Sequence, residues 1–192
     1  MNYRPVVTIV LILVSFLATL VAPIFDYSFY GENGHPTEWL SFLPTVPLRQ
    51  SGLTLIFSPF LHINLSHLLT NMVILLPVAL MIERKKSGRK LILFFSLVHF
   101  QVLLLLVLFN AFISLEGKAF LGSSHIVIGL YTFWALNQKK YGMLFMPLLV
   151  LGIGIWNSHS LTFLAHMLGF IVGVELLFLC RLWERVRPQH SN

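Results

Sequence analysis

Six apolar runs, at about 6–25, 59–82, 91–113, 122–136, 143–156 and 161–179, follow one another along the chain, with charge kept almost wholly between them. A helix needs about 20 such residues to cross a 30 Å hydrocarbon core, where no water is present to satisfy a free backbone group. The fourth and fifth runs are shorter. Composition points the same way: 57% of the 192 residues are hydrophobic and 10% charged, against about 25% charged in soluble domains. The chain is therefore predicted to be an all-α membrane protein, a six-transmembrane-helix bundle, in which residues 1–192 form one membrane domain. Function must then sit in or beside the helices. The first run is read as a span, because it exceeds the apolar core of a signal peptide and Leu20, Val21 and Ala22 make a poor cleavage site.

Lys and Arg set the orientation. With the N-terminus inside, Arg4, Arg84, Lys85, Lys86, Arg89, Lys90, Lys139, Lys140, Arg181, Arg185 and Arg187 fall on inner segments, and only Arg49 and Lys118 on outer ones. Both termini are expected in the cytoplasm. The net charge of +6 is thus a topology signal; no soluble segment interleaves basic and aromatic residues, so nucleic acid is not an expected partner. The single cysteine, Cys180, allows neither an internal disulfide nor a thiolate metal site. The one long connection, 26–58, contains Trp39, Leu40, Ser41, Phe42 and Leu43, a stretch expected to lie on the membrane surface.

Polar side chains within spans are costly and raise a functional question by default. Ser124 lies fifteen residues before Lys139, and His166 fifteen before Arg181, which places both about 22 Å above the inner charges at 1.5 Å per residue. Asn71 and His67, thirteen and seventeen residues before Arg84, lie at about 20 and 25 Å by the same rise. Three helices thus present polar groups in one layer. His67 and Asn71 share a helical face by their i, i+4 spacing. Gly122 and Gly129 on the fourth run, and Ala165, Gly169 and Gly173 on the sixth, form small-residue faces that let helices approach closely.

These are the parts for acyl transfer. A serine hydroxyl becomes a nucleophile when a neutral histidine within about 3 Å takes its proton. The Asn71 amide, a ring N–H of His67 and the backbone N–H of Ser124 are candidate donors to the oxyanion. No carboxylate lies at that depth, since Glu83 sits at the inner boundary and Glu175 nine residues below His166. A Ser/His dyad is expected, without a third member. His62 falls about 140° round the helix from His67 and is expected to brace the outer loop. His99, Gln101 and Asn110 read as interhelical packing.

The same residues carry a resemblance to the rhomboid intramembrane proteases. His67 and Asn71 resemble the family's H-x-x-x-N; Glu83 with Gly88 resembles the E-x-x-x-G turn, displaced by a residue; Gly122, Ser123 and Ser124 resemble G-x-S-G; and Ala165, His166, Gly169 and Gly173 are similar to A-H-x-x-G-x-x-x-G. The likeness runs from about residue 57 to 174. The chain departs from it at His125, where the motif has glycine, at Ile128, where many members have an aromatic, and at Leu48 and Arg49, where the family has Trp-Arg. The resemblance implies a rhomboid-type bundle in the bacterial cytoplasmic (inner) membrane. It implies a serine endopeptidase that cuts single transmembrane segments entering past a mobile fifth span, with Ser124 and His166 catalytic and His67, Asn71 and Ser124 holding the oxyanion. Compact bacterial members, the rhombosortase branch among them, share the build. Expected partners are transmembrane protein substrates and the lipid bilayer; no cofactor or metal is expected. Two alternatives stand beside it: a rhomboid-like protein that binds transmembrane segments without cutting them, and a metal-binding membrane protein using His62, His67, His125, His159 and His166.

Overall fold

The computed structural model describes residues 3–30, 41–115, 120–156 and 160–186. Trp39, Leu40, Lys118, His159 and Arg187 lie outside these. The helices are α1 (Val6–Tyr30), α2 (Leu53–Phe57), α3 (Leu65–Lys85), α4 (Gly88–Asn110), α5 (Ser124–Asn137), α6 (Phe145–Trp156) and α7 (Ser160–Val186). Among the described residues the sole extended pairing is one bridge between Phe42 and Phe120, with both N–H···O distances 2.8 Å. Three helical segments, Leu65–Lys85, Gly88–Asn110 and Leu161–Val186, are long and apolar enough to cross a membrane, and Val6–Val21 and Tyr141–Leu151 are shorter apolar ones.

Outward faces are as apolar as the interior. Leu13 and Leu17 on α1, Val73 on α3, Leu104 on α4 and Phe178 on α7 are all exposed. In water such a surface would drive aggregation; against lipid chains it carries no penalty. The chain is an integral membrane protein by this surface and these helices. α5 stands at the centre, where every residue but Tyr131, Leu136 and Asn137 is buried, as expected for a helix apolar on all sides.

Glycines decide how closely α5 and α7 meet. A Cβ on Gly169 would stand 2.3 Å from the His125 carbonyl oxygen, and one on Gly173 would stand 2.3 Å from that of Gly129. Neither fits. The two backbones therefore touch along the small-residue face, the mode of packing that gives membrane helices close dispersion contact where apolar burial supplies no drive.

Several boundaries differ from the apolar runs, each for a local reason. The second run begins at 59, but α3 starts at Leu65: Pro59 sits in a 3-10 turn, and Asn64 caps the helix by accepting the His67 N–H at 2.8 Å. The fourth run begins at 122, but α5 starts at Ser124, because Gly122 takes φ +99°, open to glycine and costly for other residues. α1 and α7 extend past their apolar runs, since a helix does not have to stop where the hydrocarbon does. Of the segment expected on the membrane surface, Trp39 and Leu40 lie outside the described residues, whereas Ser41 and Phe42 are fully buried in the protein, with Phe42 paired to Phe120 by the single bridge.

At the end of the bundle where α3 turns into α4, Glu83 fastens α1. Its Oε1 accepts the Val7 N–H at 3.0 Å, and its Oε2 accepts the Thr8 N–H at 2.9 Å and the Thr8 hydroxyl at 2.6 Å. A carboxylate thereby satisfies orphan donors of the first turn of α1, where the helix dipole also favours it. Gly88 lets α1 come this close, as a Cβ there would lie 2.6 Å from Val7 Cγ2. Lys85 with Gln138, and Lys86 with Glu184 at 3.4 Å, tie α3 to the far ends of α5 and α7.

Candidate active site

Ser124 is the first residue of α5, and its backbone N–H belongs to the helix N-terminus, where donors have no intrahelical acceptor. The chain reaches it through Gly122, whose N–H donates to the Ser58 carbonyl at 2.8 Å. Its open side faces His67: a Cβ on Gly122 would stand 3.0 Å from His67 Cε1. A side chain at residue 122 would push that ring away. Glycine is thus required twice, for its backbone angle and for the ring packed on it.

His166, on α7, points its Nε2 at Ser124 Oγ, 2.8 Å away. The close approach at Gly169, one helical turn on, sets this separation. With Nε2 unprotonated the imidazole accepts the hydroxyl proton, the arrangement of a nucleophile with its general base. Ser124 is buried and His166 half-buried.

His67 and Asn71 follow the Asn64 cap on one face of α3. His67 Nδ1 and Asn71 Nδ2 are buried, and neither has a hydrogen-bond partner among the described residues. Leaving a buried polar group unpaired costs about 1–3 kcal/mol. Of the two, the His67 ring lies against Gly122, in the turn that leads to Ser124.

His62 is not on the helix at all. It lies in the turn before α3, so the 140° argument from helical geometry does not apply to it. The ring is nonetheless a brace: its Nδ1–H donates to the Phe60 carbonyl at 3.3 Å, which leaves Nε2 to accept the Ser123 hydroxyl at 3.3 Å. Asn110 is likewise local, accepting the Leu115 N–H at 3.0 Å. Gln101 does link helices, bonding to Glu175 across α4 and α7.

The side chain of His125 packs on α4. The ring is fully buried and meets His99 of α4, Nε2 to Nδ1, at 3.0 Å, with Phe120 edge-on at 4.9 Å between centroids. The close contact with α7 is made by its backbone, so a bulky residue at 125 leaves that contact intact. The sequence signal for the pair was present, as two histidines within apolar runs, but nothing along the chain says which neighbour each will face. Among the described residues no three of His, Cys, Asp and Glu are grouped as a metal ion would need.

The rhomboid domain matches residues 49–183, well over half of the chain. The protein belongs to the rhomboid family. That family is one of intramembrane serine proteases, and the matched stretch contains His67, Asn71, Ser124 and His166. No curated protein matches the chain.

Proposed function

We propose that this rhomboid is an active intramembrane serine endopeptidase, with Ser124 as nucleophile and His166 as general base. The observation that carries the reading is the 2.8 Å contact between Ser124 Oγ and His166 Nε2 across α5 and α7. In the proposed reaction His166 takes the hydroxyl proton as Ser124 attacks the scissile carbonyl. The tetrahedral oxyanion then accepts hydrogen bonds from the Ser124 N–H, the Asn71 amide and a ring N–H of His67. His166 returns the proton to the leaving amine, and water repeats the sequence on the acyl-enzyme.

The substrate class is a single transmembrane segment. A groove of about 640 Å³ runs along the outer turns of α3, past Leu65, Ser66, Leu69, Thr70, Val73 and Ile74. It lies on the helix that carries His67 and Asn71, and its apolar walls with two hydroxyls suit a helix whose backbone is beginning to unwind. The proposed topology has six spans with both termini cytoplasmic in a bacterial inner membrane, in a single domain. α5 is 14 residues long, about 21 Å at helical rise. With its C-terminal end at the inner charges, Ser124 lies recessed below the outer face, where water enters and lipid does not.

Labelling of the purified protein with a fluorophosphonate, beside cleavage of a single-span reporter, tests this. Wild type labels and cleaves, while Ser124→Ala and His166→Ala do neither. Labelling that survives Ser124→Ala refutes the assignment. A neutral base is required, so cleavage falls on acidification as His166 takes up a proton; full activity at pH 4 contradicts a histidine base.

A further inference from the structure

The side chain of His125 enters no step of the proposed reaction, yet it is fully buried beside the nucleophile. Burying an imidazole costs free energy unless its polar atoms are paired, and an apolar side chain would fill the same space without that cost. The ring is part of a chain of bonds. His99 Nε2–H donates to the Leu55 carbonyl at 2.7 Å, and His99 Nδ1 lies 3.0 Å from His125 Nε2. A carbonyl only accepts, so the proton of neutral His99 belongs on Nε2, and the proton between the rings belongs to His125. Each neutral ring supplies one N–H and both are used, which pairs three of the four ring nitrogens; His125 Nδ1 is left without a partner among the described residues.

The far end of this chain matters because of what else is attached there. Leu55 belongs to α2 and leads into the 58–62 turn. That same short stretch accepts the Gly122 N–H at Ser58 and the Ser123 hydroxyl at His62. Residues 122, 123 and 125 are therefore all fastened to 55–62, and Ser124 between them has its hydroxyl on His166. On its other side, the His125 backbone is pressed against Gly169 of α7, one helical turn from the base.

We infer that His125 and His99 are positioning residues: their relay to the Leu55 carbonyl fixes the rotation of the first turn of α5 and so aims Ser124 Oγ at His166. The inference rests on the proposed serine chemistry. With the relay cut, the 2.8 Å contact loosens and the hydroxyl is less often aligned for transfer. Substrate binding, made by other surfaces, is unaffected.

The test uses the full-length protein in lipid vesicles, with the fluorophosphonate labelling rate and kcat and KM on the single-span reporter. His99→Leu and His125→Phe keep bulk but remove the relay; His99→Gln and His125→Gln keep a donor and an acceptor. Both apolar variants are expected to lower kcat and the labelling rate by about tenfold, the size of one lost buried hydrogen bond. KM stays unchanged, and the double variant is no worse than either single one, since both cut the same chain. At least one glutamine variant recovers to within about threefold of wild type by the same hydrogen-bond reasoning. Apolar variants that keep full kcat overturn the inference, as does a change in KM alone or glutamine variants as impaired as the apolar ones. Failure of wild type itself to label at Ser124 overturns the underlying protease reading instead, so the two failures are distinct.

Discussion

The two ends of the α3 helix treat buried polar groups in opposite ways. At its C-terminal end the Glu83 carboxylate receives three hydrogen bonds from Val7 and Thr8, and Gly88 closes the contact. At its N-terminal end Asn71 Nδ2 and His67 Nδ1 are buried without partners among the described residues. Satisfied groups hold a fold together; unsatisfied ones weaken it. On the proposed reading, the difference separates a clamp from a site on the same helix.

Variants that strike one end and are read out at the other test that separation. The largest effect is expected for Ser124→Ala, with cleavage falling by about 10⁴-fold or more while the thermal midpoint hardly moves. A large loss of stability in this variant would make Ser124 a packing residue and break the comparison. Next comes Gly169→Ala, where the added methyl group meets the His125 carbonyl. Forcing α5 and α7 apart should cost about 1–3 kcal/mol of stability and reduce activity with it, seen as a lower unfolding midpoint alongside slower fluorophosphonate labelling.

Asn71→Ala separates the roles more finely. Loss of an oxyanion donor is expected to lower kcat by about 10²-fold, with KM and the thermal midpoint unchanged or the latter slightly raised, because an unpaired amide has gone. A fall in stability without a fall in kcat would show that Asn71 is structural. Glu83→Gln is the converse: stability should drop by about 1–2 kcal/mol as charge-assisted bonds to α1 weaken, while kcat of the folded fraction stays at the wild-type value. Thr8→Val gives the smallest effect, about 1 kcal/mol for one lost hydroxyl bond, and should not add to Glu83→Gln because both act on one contact.

Much of this arrangement follows from position along the chain. The six apolar runs each contain a helix, and equal distances of Ser124 and His166 from the basic residues put them at one level, because rise per residue in a helix is constant. Charge segregation likewise needs only the order of residues. The E-x-x-x-G likeness at Glu83 and Gly88 flagged a turn, yet the partner of that carboxylate, the start of α1, lies more than 70 positions away and is found only by packing.

What the sequence determined by itself was level along the helices: that Ser124 and His166 can share a layer of the bundle, and which faces are small enough for helices to meet. Tertiary structure decided azimuth and contact. It put His62 in a turn, drew Phe42 into the core and sent the His125 ring towards α4 while its backbone met α7. The physical reason is that a helix fixes rise and angular spacing from local hydrogen bonds alone, whereas its rotation about its own axis is set by which neighbours its surface fits. Equal depth allows Ser124 and His166 to meet; the glycines of α5 and α7 bring them to 2.8 Å.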